Sequence, residues 1–198
     1  MQRKKPYHHG NLRETLLDSA IRLIAEVGPA GFTLREVARR AGVSHNAPYR
    51  HFSDRDDLIA AIATQGFRQL TQAMLRAAAG GVSAVDRLKR AGLAYVTFAL
   101  HRPEHFTVMF DASTPVKGGH EDLAKAAEEA FDTLLNLVRS WHDEGRLSGD
   151  AREFALLAWS MVHGVAKLAT TGHLPYASRA RILKFAEFVI DESLRARA

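Results

Sequence analysis

Apolar residues recur at intervals of three and four along most of the chain, the spacing that places side chains on one face of an α-helix. The periodic segments are separated by turns that contain glycine or proline, most clearly at Gly28-Pro29, Gly80-Gly81 and Gly172. No segment shows a convincing alternation typical of a β-strand. The pattern therefore predicts an all-α protein of about nine helices.

Three helices are predicted before residue 54, and the second and third are short. Asn11 is the candidate cap of the first. Thr33 and Glu36 form a Thr-x-x-Glu capping box at the start of the second, and Ser44 is the candidate cap of the third. The second and third helices, each of about two turns and joined through Gly42, have the spacing of a helix-turn-helix. Gly42 would supply the turn residue with positive φ.

A long fourth helix is predicted over residues 54–79, and it ends at the Gly80-Gly81 break. This helix would connect a three-helix N-terminal unit, residues 1–55, to a larger helical domain, residues 80–198. The segments after residue 80 have amphipathic helical spacing throughout.

Charge distinguishes the two parts of the chain. The net charge of +5 lies entirely within residues 1–53, and the remaining residues are balanced. A local basic excess is typical of a surface that binds a polyanion, although a charged face that only aids solubility is the simpler alternative. The absence of cysteine excludes disulfides, thiolate catalysis and cysteine-ligated zinc. No apolar run is long enough to span a membrane, so a cytoplasmic protein is expected.

Residues 32–44 read Phe-Thr-Leu-Arg-Glu-Val-Ala-Arg-Arg-Ala-Gly-Val-Ser, and Tyr49-Arg50-His51-Phe52 and Asp57-Leu58 follow. Over about residues 12–60 this pattern resembles the N-terminal signature of the TetR family of transcriptional regulators. The resemblance implies a DNA-binding domain at residues 1–55. It also implies a C-terminal domain that binds a small ligand and forms a dimer.

The resemblance assigns roles by position. Thr33 would offer its hydroxyl and nearby backbone N–H groups to a phosphate of double-stranded operator DNA. Arg50 could form a bidentate contact with guanine, and Asn46 with adenine. The basic arm at residues 3–7 could follow a minor groove or remain a disordered tail. The predicted phosphate contacts are Thr33, Tyr49, His51 and Arg55, the predicted base-edge residues are Ser44, His45, Asn46, Ala47 and Arg50, and Arg35 completes the set.

Pro48 departs from the family pattern, which usually has a larger aliphatic residue at this position. Proline has no backbone N–H and disfavours helical geometry at the residue before it, Ala47. The third helix is therefore expected to start late or with an irregular turn, which would alter the individual base contacts.

Trp159, His163 and Gly164 form a Trp-x-x-x-His-Gly pattern that resembles a C-terminal subgroup of TetR proteins named for these residues. Trp159 and His163 share a helix face, so they can belong to the core or contact a ligand. Aromatic and methionine side chains nearby can likewise form an ordinary core or line an apolar cavity. The predicted lining of a ligand pocket is Phe98, Phe106, Met109, Phe110, Phe131, Leu135, Trp141, Trp159 and His163.

The sequence contains no pattern that indicates an enzyme, a cofactor or a catalytic residue. Gly-rich phosphate loops, nucleophile elbows and His-Glu-x-x-His motifs are missing. His101 and His105 have a spacing that zinc can use, but Pro103 between them and the lack of an obvious third ligand argue against a metal.

The last two predicted helices carry apolar stripes, and in the resembling family the final helices of two chains form a four-helix interface. A homodimer through these helices would match a two-fold operator. The leading hypothesis is a sequence-specific regulator, usually a repressor in this family, that a small-molecule effector releases from its operator. A helical ligand-binding protein and a nonspecific DNA binder on the same fold are the alternatives.

Overall fold

The computed structural model describes residues 12–115, 119–145 and 147–195. Within these ranges the chain forms eight α-helices and one 3₁₀ segment, and no strand occurs. The elements are α1 (Leu12–Val27), α2 (Leu34–Ala41), the 3₁₀ segment (Pro48–Arg50), α3 (Arg55–Ala79), α4 (Ala84–His101), α5 (Pro103–Met109), α6 (Glu121–Asp143), α7 (Ala151–Thr170) and α8 (Arg179–Arg195). The predicted all-α class and approximate helix count are confirmed.

The ends of α2 follow from the residues that the sequence places there. Thr33 has extended backbone geometry, and its side chain accepts a hydrogen bond from the Glu36 N–H while the Glu36 carboxylate accepts one from the Thr33 N–H. The predicted capping box is therefore confirmed. Gly42 ends the helix with φ of +72°, a conformation that a β-carbon would penalise. The candidate cap Asn11 lies outside the described residues.

The third helix of the N-terminal unit differs from the prediction, because it is not an α-helix. Residues 44–47 form a turn in which the Ala47 N–H donates to the Ser44 carbonyl at 2.9 Å, and a single 3₁₀ turn follows. Pro48 begins that turn and has no N–H with which to make a helical bond to Ser44. The N–H groups of His51 and Phe52 then both donate to the Pro48 carbonyl at 2.9 Å. The expected irregular start is confirmed, and no side chain caps the 3₁₀ segment.

The core is continuous across the molecule. Buried apolar side chains from Leu16 in α1 to Leu194 in α8 belong to one cluster. The connecting helix α3 packs against α1 of the N-terminal unit and also against α4, α5 and α6. The division into residues 1–55 and 80–198 therefore stays a prediction about roles, since the apolar packing has no gap at the proposed boundary.

Helix α5 packs tightly against α3 at Gly66. A β-carbon added at Gly66 would lie 2.5 Å from Sδ of Met109, closer than real β-carbons come to a neighbour. Glycine in a helix interior usually lowers stability. At Gly66 the missing side chain leaves room for the Met109 side chain of α5. Among the helices that the structure describes, none is long and apolar enough to cross a membrane.

Candidate DNA interface and ligand cavity

The predicted DNA-binding residues form an exposed surface on the N-terminal unit. Pro48 and Phe52 are buried and anchor the turn that carries the surface, and the Arg13 guanidinium lies 5.5 Å from the centre of the Phe52 ring. Between these anchors Tyr49 leaves 51% of its surface exposed. Thr33, Arg35, Ser44, His45, Asn46, Tyr49, Arg50 and His51 are exposed, and Ala47 and Arg55 are half-buried.

The Thr33 hydroxyl already has a partner within the chain. It donates to the Glu36 carboxylate at 3.0 Å, while its oxygen accepts from the Glu36 N–H at 3.3 Å. The N–H groups of Leu34 and Arg35, in the first turn of α2, lie ahead of any intrahelical acceptor. An anion at this helix end would therefore meet backbone N–H groups first, and the Thr33 hydroxyl only after a change of partner.

Arg55 occupies a position that the sequence did not predict. One guanidinium nitrogen donates to the Pro29 carbonyl in the loop between α1 and α2, and the other lies 3.2 Å from the Asp56 carboxylate. The guanidinium also lies 5.3 Å from the centre of the buried Phe32 ring. Arg55 therefore joins the start of α3 to the loop that precedes α2, with 29% of its side chain still exposed.

An ion pair joins α2 to α1. The Arg40 guanidinium forms a bidentate contact with the Glu26 carboxylate, and this hydrogen bonding lowers the pKa of Glu26.

The predicted basic arm at residues 3–7 lies outside the described residues.

Aromatic side chains from five helices, α3 to α7, meet in one cluster. The Phe110 ring lies 4.5 Å from the His163 ring and 6.3 Å from Trp159, and Phe106 lies 5.3 Å from His163. Trp159 also contacts Phe131 of α6, with 5.6 Å between ring centres. Three of these rings, Phe110, Phe131 and Trp159, line a cavity of about 20 Å³, whereas Phe106 and His163 pack behind its wall. The lining also includes Phe67, Leu70, Met74 and Tyr95.

A chain of hydrogen bonds crosses this aromatic cluster. Nε1 of Trp159 donates to the Tyr95 hydroxyl oxygen at 3.2 Å, and that oxygen lies 2.8 Å from Nδ1 of His163. Burial lowers the pKa of His163, with a further contribution from the charge of Lys167, and burial raises the pKa of Tyr95. Both groups are therefore neutral at pH 7. Tyr95 was not predicted as a site residue.

The other predicted pocket residues lie apart from the cavity. Trp141 packs against Phe154 at 5.5 Å and borders a separate surface groove, because it is nearly three turns beyond Phe131 on α6. Phe98 borders another outer groove between α3 and α4. Leu135 is buried in the core, and Met109 faces Gly66.

The two histidines considered for a metal have other partners. His101 Nδ1 lies 2.8 Å from the Thr97 carbonyl, and His105 Nε2 lies 3.3 Å from the Gln65 side-chain oxygen. The opposite nitrogen of His105 is buried without a hydrogen-bond partner, and burial lowers the pKa of this residue. Among the described residues, no group of three or more His, Cys, Asp or Glu side chains could hold a metal ion.

Comparison with known proteins yields matches in both halves. The family model "Bacterial regulatory proteins, tetR family" matches residues 16–62, and "Tetracyclin repressor-like, C-terminal domain" matches residues 88–192. An HTH-type transcriptional repressor of Mycobacterium tuberculosis is 34% identical over 71 residues, 36% of this chain and 38% of that protein. The match to this curated relative therefore spans well under half of its length.

Solved structures share the whole fold. A protein of unknown function from Rhodococcus sp. RHA1 is 36% identical, with a TM-score of 0.83 over 98% of this chain and 100% of that chain. The protein AibR, solved in complex with isovaleryl coenzyme A and operator DNA, is 17% identical, with a TM-score of 0.74 over 91% of this chain and 97% of that chain. At that identity the likeness to AibR concerns the fold alone.

Proposed function

Because this chain belongs to the TetR family of bacterial regulatory proteins, we propose that it is a sequence-specific transcriptional repressor released from its operator by a small ligand. The observation that carries the DNA-binding part is the exposed surface at residues 44–51, held by the buried side chains of Pro48 and Phe52. That surface lies on the part of the chain that holds the entire excess of positive charge. A bacterial repressor would act in the cytoplasm, where the chromosome lies.

In this proposal phosphate and base contacts come from different residues. Tyr49, His51 and the first turn of α2 would contact phosphates, which orient the protein without reading sequence. Arg50 would read a guanine through its two-pronged guanidinium, and Asn46 is the candidate reader of an adenine. The 3₁₀ start limits how far this segment enters a major groove, so Arg50, near its C-terminal end, depends on side-chain length to reach a base.

Selection of bound duplexes from a random DNA pool tests sequence specificity. The selected duplex and a scrambled duplex of equal length are then compared by fluorescence anisotropy at fixed salt. A specific regulator is expected to prefer the selected duplex by about 10³-fold or more. Equal affinities would instead identify a nonspecific DNA binder.

The proposal includes a homodimer through α7 and α8. These helices leave large apolar side chains exposed, and Phe188 of α8 has 58% of its surface in contact with solvent. Leu156, Leu157 and Leu168 of α7 are also exposed. An apolar patch of this kind is typical of a protein–protein interface, and a two-fold dimer would present two reading segments to two half-sites.

Sedimentation at micromolar concentration tests the dimer. The wild-type chain is expected to have twice the monomer mass, and Phe188→Asp is expected to shift it toward monomer because a buried carboxylate would oppose association. Val82→Asp is the matched control, because Val82 is 92% exposed in the connection between α3 and α4. A monomeric wild type would refute the dimer.

A further inference from the structure

The cavity in the aromatic cluster has apolar walls. Phe67, Leu70 and Met74 of α3 form one side, and Phe110, Phe131 and Trp159 form much of the rest. Among the lining residues that the structure describes, none carries a charge. Two cations lie near the aromatic cluster: Arg152, whose guanidinium is 5.3 Å from the centre of the Phe131 ring, and Lys167, one turn beyond His163. Both side chains are exposed to water, so neither brings a charge into the interior.

Two lining residues, Tyr95 and Trp159, carry polar side-chain atoms, and these atoms meet at the Tyr95 hydroxyl. Its oxygen accepts from Trp159 Nε1 and pairs with Nδ1 of His163. A hydroxyl has one donor and two acceptor positions, so this oxygen can form one further hydrogen bond. Tyr95 lines the cavity, and it is the wall residue at which a polar ligand group can be satisfied.

We propose that the effector is an uncharged, mainly aromatic or alicyclic molecule with a single hydrogen-bonding group, which meets the Tyr95 hydroxyl. This inference rests on the proposed ligand-sensing function and specifies the class of ligand. An ionised group would lose its hydration among apolar walls without gaining a counter-charge, so charged molecules of the same shape are rejected. A molecule without a polar group fits but leaves the third hydrogen-bond position of Tyr95 unused.

Entry of such a ligand requires a wall side chain to move. The cavity of about 20 Å³ holds little more than a water molecule. Phe131, Phe110 and Trp159 are all half-buried wall residues. Trp159 is held by its hydrogen bond to Tyr95, and Phe110 packs against the rings of Phe67, Phe106 and His163. Phe131 is the side chain that moves, because its ring contacts are with Trp159 and the exposed Arg152. The other aromatic wall residues on α3 and α4, Phe67 and Tyr95, are buried. The ligand ring takes the space that the Phe131 ring leaves.

Three small probes of similar shape test the ligand class, with the full chain and without DNA. Binding of phenol, toluene and benzoate is measured by ligand-observed NMR titration at pH 7.5, where benzoate is ionised. Phenol is expected to bind about three- to tenfold more tightly than toluene, as one added hydrogen bond would provide. Benzoate is expected to bind at least about 100-fold more weakly than phenol. Absence of phenol binding, or benzoate binding within tenfold of phenol, would overturn the proposal.

Variants locate the contact. Tyr95→Phe is expected to remove the preference for phenol over toluene, while toluene binding changes little. Tyr176→Phe is the matched control, because Tyr176 packs against Phe185 outside the cavity, and the preference should survive. Phe131→Leu keeps the Tyr95 hydroxyl and is expected to bind both uncharged probes more tightly, because less of the wall must move. An unchanged preference in Tyr95→Phe would contradict the assignment, as would unchanged affinity in Phe131→Leu.

Operator binding is measured separately on the same variants, without a probe. Probe selectivity without operator specificity would refute the proposed regulator and leave the cavity inference intact. Operator specificity without probe selectivity would refute the cavity inference and leave the proposed regulator intact.

Discussion

Replacement of Arg55 separates two roles that one side chain can have. Its guanidinium donates to the Pro29 carbonyl and lies over the Phe32 ring, so it holds the loop before α2 against the start of α3. The same residue is a predicted phosphate contact, and an arginine has five N–H donors for both purposes. Arg55→Lys keeps the charge but loses the planar guanidinium with its several N–H donors, whereas Arg55→Ala loses both.

The cost to folding can be worked out from these contacts. A hydrogen bond from a charged donor contributes about 1.5–3 kcal/mol, and a cation–π contact at a partly exposed site contributes about 0.5–1 kcal/mol. The exposed pair with Asp56 contributes close to nothing. Arg55→Ala should therefore lower the free energy of unfolding by about 2–4 kcal/mol, or the Tm by about 4–16 °C in a chain of this size. Arg55→Lys should lose about half of that amount.

Thermal unfolding and DNA affinity at several salt concentrations distinguish the two roles. Arg55→Ala is expected to reduce the slope of log affinity against log salt by about one unit, and Arg55→Lys to leave it unchanged. Arg76→Ala, which removes an exposed charge from the last turn of α3, is the control for both measurements. If Arg55→Lys is as stable as the wild type, the bracing role is wrong. If Arg55→Ala keeps the full salt slope, Arg55 does not contact a phosphate.

Three further results are expected. Arg50→Ala should cost about 1–3 kcal/mol at the selected duplex and relax preference at one base pair per half-site, and an equal loss on scrambled DNA would reassign Arg50 to phosphate binding. Gly66→Ala should lower the urea midpoint, because displacing buried Met109 costs about 1–3 kcal/mol and alanine recovers only about 1 kcal/mol of helix propensity; a raised midpoint would refute the close packing. Burial lowers the pKa of His105 and His163, so the unfolded chain binds their protons first and stability should fall as the pH drops below about 6.5. Stability that rises from pH 7 to pH 5.5 would contradict this expectation.

The sequence was sufficient to predict those features whose geometry depends on residues close together in the chain. The Thr33 and Glu36 capping box and the positive φ of Gly42 were predictable, because each depends on groups within three residues. The effect of Pro48 was predictable in kind, since a missing N–H removes a helical bond in any context. Its result, a 3₁₀ turn anchored by buried Pro48 and Phe52, depends on packing against the rest of the N-terminal unit.

Contacts between distant segments were not predictable from spacing. Arg55 lies 26 residues from Pro29, and nothing in the local pattern indicates that their groups meet. Tyr95 is 68 residues from His163, so its hydroxyl was indistinguishable in the sequence from any other half-polar group on an apolar stripe. Trp141 was predicted in the pocket because of its residue type, although its distance along α6 places it beside another groove.

The position of α3 determines how the chain can be divided. Leu58, Ile59 and Ile62 are buried near its start, and Phe67 and Leu70 are buried further along. A fragment that stops at residue 55 would lack the first group and leave the apolar side of α1 without a cover. A fragment that continues to Ala79 would expose Phe67 and Leu70 to water, and exposed apolar surface favours aggregation. The predicted DNA-binding residues are thus not expected to fold as an independent unit, and truncation at the predicted boundary should yield insoluble protein.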